Sequence, residues 1–427
     1  MRGLHSAGLM HGPRRDMVRA MTSAATQVVD SRAAWLRLGT ALVLGTIGSV
    51  GMWSYVVALP AVQASFGVAR ADASLPYTMA MIGFALGNLV LGRLSDRYGL
   101  VVPVLLSIGS LGMGFIGVGL APSLWLVAVA HLVLGFGSAA SFGPLIADLS
   151  LWFERRRGIA IAVAASGNYL AGALWPPVLT HFIAADGWRA THIGVGIFCM
   201  LTMLPLSLRL RRRLDLHAGH GAGAVRAFVP PHLSVSPTTL FVLLCIAGVA
   251  CCVAMSMPQV HIVAYCGDLG YGVARGAEML SLMLASGIVS RLLSGLIADR
   301  YGGVVTLLIG SFMQAVALFL YFLFDGLSSL YVISALFGLF QGGIVPSYAV
   351  IVREFFPPRE AGTRVGVVIM ATVFGMAFGG WVSGWIFDLT GSYRAAFLNG
   401  LGWNLLNLAI ALWLLRARRP LRRPAIA

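Results

Sequence analysis

GRLSDRYG at residues 92–99 returns as GLIADRYG at residues 295–302, with five identities in eight positions at a spacing of 203. The same spacing carries His131, Gly135 and Phe153 onto Ser334, Gly338 and Phe356, so a long block is repeated rather than a short motif. Glycine at the ends of each copy lets the backbone turn tightly, while the Asp-Arg pair can form charge-assisted bonds to neighbouring helix ends. A charged loop at equivalent places in two halves reads as a breakable latch. Its residues are Gly92, Asp96, Arg97 and Gly99 in the first half and Gly295, Asp299, Arg300 and Gly302 in the second. Asp148 is expected to partner Arg93 or Arg97, the alternative being a solvated helix-end charge.

Outward from these loops the chain is almost uninterruptedly apolar. Of 427 residues, 58% are hydrophobic and 11% charged, a balance that a water-soluble domain cannot carry without large apolar patches. A dozen stretches are long enough, at about 1.5 Å per residue, to cross the roughly 30 Å hydrocarbon layer. They begin near Leu38, Ser74, Val101, Trp125, Gly158, Thr191, Pro237, Ala277, Val304, Leu327, Ala361 and Tyr393. The fold class expected is an all-α membrane protein of twelve transmembrane helices in two pseudo-symmetric six-helix bundles, residues 35–208 and 237–415. Residues 1–34 read as a disordered cytoplasmic tail, 209–236 as a cytoplasmic linker, and 416–427 as a basic cytoplasmic tail.

The net charge of +15 is distributed by loop and is not collected into a nucleic-acid patch. Even-numbered connections carry Arg93, Arg97, Arg155, Arg156, Arg157, Arg209, Arg211, Arg300 and Arg353, whereas odd-numbered ones hold Arg70, Arg189, Arg275 and Arg394. By the positive-inside rule both termini are cytoplasmic, in a multi-pass protein of a bacterial inner membrane. Every basic residue is Arg and none is Lys. The five cysteines lack metal or disulfide spacing and read as small buried side chains.

The Gly-x-x-x-Asp-Arg-x-Gly loop and its weaker second copy resemble those of the major facilitator superfamily, over essentially the whole chain after residue 35. Trp152, Phe153, Glu154, Arg155, Arg156, Arg157 and Gly158, with Gly51, Met52, Trp53, Ser54 and Tyr55, are similar to the monocarboxylate porter branch. Oxalate and formate exchangers resemble the pattern too. Animal porters carry a lysine after the helix 1 proline and an acid four residues before the helix 8 arginine. Here those places hold Ala61 and Gly287, while the arginine is present as Arg291. The resemblance implies two halves that expose one central site alternately to either side, with no cofactor.

Arg291 is the basic residue deepest in a predicted helix, and an arginine there costs about 2.5–3.5 kcal/mol by insertion scales. A carboxylate substrate offsets that cost, because guanidinium donors match two carboxylate oxygens. Gly287 and Gly295 share its face, and Ser286, Ser290 and Ser294 form the adjacent stripe, which would leave room for a ligand. The alternative is a side chain that reaches the cytoplasmic end and pairs with Asp299. His261 follows Pro258 and could donate to substrate, hold a proton, or satisfy a local carbonyl. Tyr55, Asn168, Phe337 and Gln341 complete the expected cavity. Glycine pairs 83 and 87, 375 and 379, and 380 and 384 are assigned to the interface between halves.

No catalytic cluster and no GxxxxGK[ST] phosphate loop appears, so neither an enzyme nor an ATP-driven pump is expected. The reading is a secondary carrier for a small carboxylate, coupled to a proton or counter-anion, surrounded by membrane lipid and functional as a monomer. The competing reading is proton-driven efflux of amphipathic drugs or metabolites. His131 weighs against it, occupying the place of an arginine that many such exchangers carry in helix 4.

Overall fold

The structure is a computed structural model in which residues 29–153, 156–211 and 236–417 are described. Of the tails and linker assigned to residues 1–34, 209–236 and 416–427, the parts 1–28, 212–235 and 418–427 lie outside the described residues, as do Glu154 and Arg155 and the side chain of Asp96, whereas 32–34 and 416–417 belong to helices.

Among the described residues twelve helical spans follow one another, and no strand is present. Helix α1 runs as Arg32–Gly48 and, after a break at Ser49, Val50–Phe66. Helices α2 (Arg70–Tyr98) and α3 (Val101–Leu120) follow, then α4 as Leu124–Ala139 and Gly143–Trp152. One continuous stretch, Arg157–Leu208, turns back at Gly187 (φ 79°) and supplies both α5 (157–186) and α6 (188–208). The second half repeats the plan: α7 (Pro237–Asp268), α8 (Val273–Tyr301), α9 (Gly303–Leu323), α10 as Leu327–Gln341 and Ile344–Phe355, α11 (Pro358–Thr390) and α12 (Tyr393–Ala417).

The helices hold because lipid offers no partner for a free backbone group, so each span satisfies its own ladder. Polar side chains within them turn back on carbonyls one turn earlier, as Thr40 does on Leu36, Ser166 on Ala162 and Ser347 on Gly343. Starts are capped by Ser31, Ser123 and Ser236, whose hydroxyls accept from Ala34, Leu126 and Thr239 N–H groups. The two motif glycines end α2 and α8 with left-handed φ of 78° and 84°, a backbone that a side chain would strain. Helix α5 begins at Arg157, and Trp152 and Phe153 finish α4.

The 203-residue repeat is a repeat of packing. Gly135 of α4 lies where an added methyl would overlap the carbonyl of Ala80 in α2, and Gly338 of α10 stands in the same relation to Met283 of α8. Both long central helices also break, α4 at 140–142 and α10 at 342–343. Two of the three glycine pairs serve this packing within a half. Gly83 and Gly87 meet Leu132 and Phe136 of α4, while Gly375 and Gly379 meet Val249 and Val253 of α7. Only the pair Gly380 and Gly384 lies between halves, against Tyr77 and the Arg70 carbonyl of α2.

Asp148 does not face Arg93 or Arg97. Its carboxylate takes both Nε (2.7 Å) and Nη2 (2.9 Å) of Arg37, whose guanidinium also reaches the Leu210 carbonyl and lies 4.5 Å over the Trp152 ring. The pair ties α1, α4 and the end of α6 inside the first half. Both side chains are largely withdrawn from solvent, so removing one leaves a buried charge, at about 3–5 kcal/mol. Asp148→Asn is therefore expected to lower the melting temperature and yield of purified protein, with Arg37→Ala at least as damaging. Thermal unfolding equal to the wild type in both variants would refute this ion pair.

Candidate functional site

The two halves meet along two seams, α5 with α8 and α2 with α11. On the first, Arg291 lies ten residues before the end of α8, about 15 Å from it and close to mid-bilayer. Its Nη1 donates to the Ala165 carbonyl of α5 (2.8 Å) and its Nε to the Gly342 carbonyl at the break of α10 (3.4 Å). The guanidinium carbon stands 4.3 Å over the Tyr169 ring. One cation thus touches both halves, yet its described partners are neutral. Asp299 is exposed, two turns nearer the end of the helix, and does not pair with it.

The small residues around Arg291 have a different use from the one expected. Gly287 is covered by the Tyr169 ring, and Ser290 and Ser294 lie against Gly342 and Gly343. They admit neighbouring helices rather than a ligand. Space opens on the other side: Gly295, one turn beyond Arg291 on the same face, has no atom within 4 Å of where a methyl would stand. Gly295 is exposed, as are its neighbours Leu292, Leu293 and Leu296, on the part of α8 that leads to the second motif loop.

The other expected cavity residues divide among three places. Asn168 belongs with Arg291: it precedes Tyr169, and its carbonyl and Oδ1 both accept from Trp53 Nε1 of α1 at 3.1 Å. Gln341 adjoins the α10 break, fully buried, with Oε1 accepting from Gln259 Nε2 of α7 (2.9 Å) and its own Nε2 unpartnered. Tyr55 and Phe337 are buried inside their own halves, the Tyr55 hydroxyl on the Ala73 carbonyl and the Phe337 ring 6.1 Å from Tyr321. His261 stands elsewhere, on the α2–α11 seam at the face away from the termini.

There a set of charges that the sequence reading did not single out joins the halves. The Asp388 carboxylate, near the end of α11, accepts from the free N–H groups of Arg70 (2.8 Å) and Ala71 (2.7 Å), so the second half caps a helix of the first. Arg70 itself is 6% exposed. Its Nη2 donates to both oxygens of Asp268 at the end of α7 (3.1 and 3.0 Å), and its Nη1 to the Tyr393 hydroxyl (2.7 Å). The Phe387 ring lies 4.9 Å from the guanidinium. Tyr393 continues to His261 Nδ1 (3.3 Å), while His261 Nε2 lies 2.8 Å from the Gly380 carbonyl. Since a carbonyl only accepts, Nε2 carries the proton and Nδ1 is left to accept from Tyr393. Loop parity could have revealed the group, because the start of α2 and the ends of α7 and α11, where Arg70, Asp268 and Asp388 lie, all fall on one face of the bundle.

The motif loops lie on the opposite face, where the side chain of Asp96 is outside the described residues. Arg97 and Arg300 are exposed and lie 5.3 and 5.6 Å over the rings of Tyr98 and Tyr301. Among the described residues Arg93, Arg97, Asp299 and Arg300 make no ion pair, while Gly303, after the second motif, donates to Glu354 within its own half (2.7 Å).

Comparison with known proteins adds the following. Residues 41–336 and 279–427 match the family model described as Major Facilitator Superfamily. The chain is 28% identical over 371 residues to monocarboxylate transporter 13 of Bos taurus, covering 84% of this chain and 83% of that one. It is 26% identical over 367 residues to the Rattus norvegicus protein of the same name, with 84% and 82% covered. The agnestins efflux protein AgnL12 of Paecilomyces divaricatus is 26% identical over 285 residues, 65% of this chain and 63% of that one. Among solved structures, a bacterial homolog of the human lysosomal transporter Spinster, inward-facing and occupied, superposes with TM-score 0.65 at 16% identity, covering 89% of this chain and 94% of that one.

Proposed function

Because this chain belongs to the Major Facilitator Superfamily, we propose that it moves a small carboxylate, in the first instance a monocarboxylate, across a bacterial inner membrane by alternating access. A proton or a counter-anion drives the cycle. The observation that carries this reading is Arg291, a mid-membrane cation between the halves whose only described partners are two carbonyls and a ring. A substrate carboxylate replaces those weak partners with a charge-matched one. The monocarboxylate transporters among the relatives agree with that chemistry.

Asn168, oriented by Trp53, and Gln341 are the polar groups assigned to the substrate beside Arg291. Tyr55 and Phe337 support the wall from inside each half, and His261, bonded to Gly380 and Tyr393, is assigned to the outer seam instead of the substrate. With the α2–α11 seam fastened around Arg70, substrate reaches Arg291 from the face of the termini, which the arginine distribution makes cytoplasmic. When that seam opens, the loops of Gly92, Asp96, Arg97 and Gly99 and of Gly295, Asp299, Arg300 and Gly302 fasten the opposite mouth. Both halves of the site come from one chain, so a monomer suffices.

Purified protein in liposomes is expected to accumulate labelled monocarboxylates when preloaded with the same anion or given an inward proton gradient. Lipophilic cations should neither be carried nor compete. Transport of such cations with no organic acid affecting it would favour export of amphipathic compounds and overturn the assignment.

A further inference from the structure

A large cavity lies away from the seams, on the lipid-facing side of the first half. A groove of about 1040 Å³ runs between α5 and α6 over a floor that includes Thr46 of α1. Its walls are apolar, with Leu174, Val178, Phe182 and Phe198 each 43–54% exposed. At mid-depth it is closed by Trp175, whose ring meets Phe198 (5.7 Å) and whose Nε1 donates to the Thr46 carbonyl (3.0 Å). Its other end is the α5–α6 turn, where Asp186 lines it beside Gly187. Eleven residues from Trp175 to Asp186 rise about 16 Å, close to half the roughly 30 Å hydrocarbon thickness. The groove therefore spans one leaflet, from headgroup level to the bilayer centre.

Asp186 is exposed and has no ion pair or hydrogen bond among the described residues. The nearby cation, Arg189, is turned away: its Nη1 donates to the Ala121 carbonyl (3.0 Å) and its guanidinium stacks on Trp188 (4.2 Å) and Phe66 (5.5 Å). An acid without a partner, at the headgroup end of a chain-sized apolar groove, has the complementarity of a cationic amphiphile. We propose that this groove is a binding site for a phospholipid with a primary ammonium headgroup, its acyl chain along α5 and α6 and its ammonium on Asp186. An ammonium supplies donors to a carboxylate, a trimethylammonium supplies charge without donors, and a phosphoglycerol headgroup brings net negative charge to an acid. The site is independent of the transport reaction and stands or falls apart from it.

The test uses the full chain in detergent, titrated with phosphatidylethanolamine, its N-trimethylated form and phosphatidylglycerol of identical acyl chains. Retained lipid is counted by native mass spectrometry. The ethanolamine lipid is expected to be retained about tenfold over the trimethylated form. Asp186→Asn should erase that preference without changing the melting temperature in lipid-free detergent. Asp72→Asn, which removes an exposed acid at the same face but off the groove, should keep it. Equal retention of the two lipids by the wild type, or loss of the preference in Asp72→Asn as well, would overturn the proposal.

Discussion

Arg291→Ala is expected to abolish measurable carboxylate uptake. Truncating one partner of a desolvated charge pair costs about 2–5 kcal/mol, which is roughly 30- to 5000-fold in affinity. Arg291→Lys keeps the charge but not the planar fork that reaches Ala165 and Gly342 at once, so it should transport with a raised KM and a smaller loss. The separation matters because Arg291 also joins two helices of different halves. A purely structural role would lower protein abundance and maximal rate together while leaving KM alone. Saturation curves in liposomes, normalised to reconstituted protein, distinguish the two. Unchanged KM for every accepted carboxylate in both variants would end the anchor assignment.

The second large effect is expected at Arg70. Four groups of the second half, from α7, α11 and α12, close on the first turn of α2, and Arg70 takes part in all of these contacts through its backbone or side chain. Arg70→Ala removes the guanidinium and leaves the Asp268 carboxylate without its partner, a loss of about 3–5 kcal/mol when such a pair is buried. Moving a two-state equilibrium from 1:99 to 99:1 takes about 5.5 kcal/mol, so this one substitution shifts the conformational balance substantially. Asp268 is about a third exposed, which places the effect toward the lower end. Spin labels at the exposed positions of Asp72 and Tyr271 should report a longer, broader distance in Arg70→Ala, with Asp268→Asn intermediate. The double variant should add little to Arg70→Ala, as expected for residues in one network. Label distances unchanged in both single variants would refute the outer latch.

Much of the architecture was legible before any tertiary contact was known. The length of each apolar run, measured against bilayer thickness, gave the number of spans. The 203-residue spacing predicted a repeated bundle, and it reappears in the matching bounds of α2 and α8 and in the crossings of Gly135 and Gly338. Arg291 stood out for the same one-dimensional reason: a charge far from either end of an apolar helix needs compensation whatever surrounds it.

What the sequence left open was which group each charge and each small residue would meet. Asp148 found Arg37, 111 positions away, and Arg70 found Asp388, 318 positions away. The serines and glycines around Arg291 receive helices, and of three glycine pairs only one lies between the halves. Spacing along a helix tells which residues share a face, but the neighbour of that face depends on the tilt and rotation of helices packed from distant parts of the chain. Hydrophobic length and charge by loop are properties of single segments, and so the sequence alone determined them. Partner choice is a property of the assembled bundle, where a shift of one turn exchanges one partner for another, and only the tertiary structure decided it.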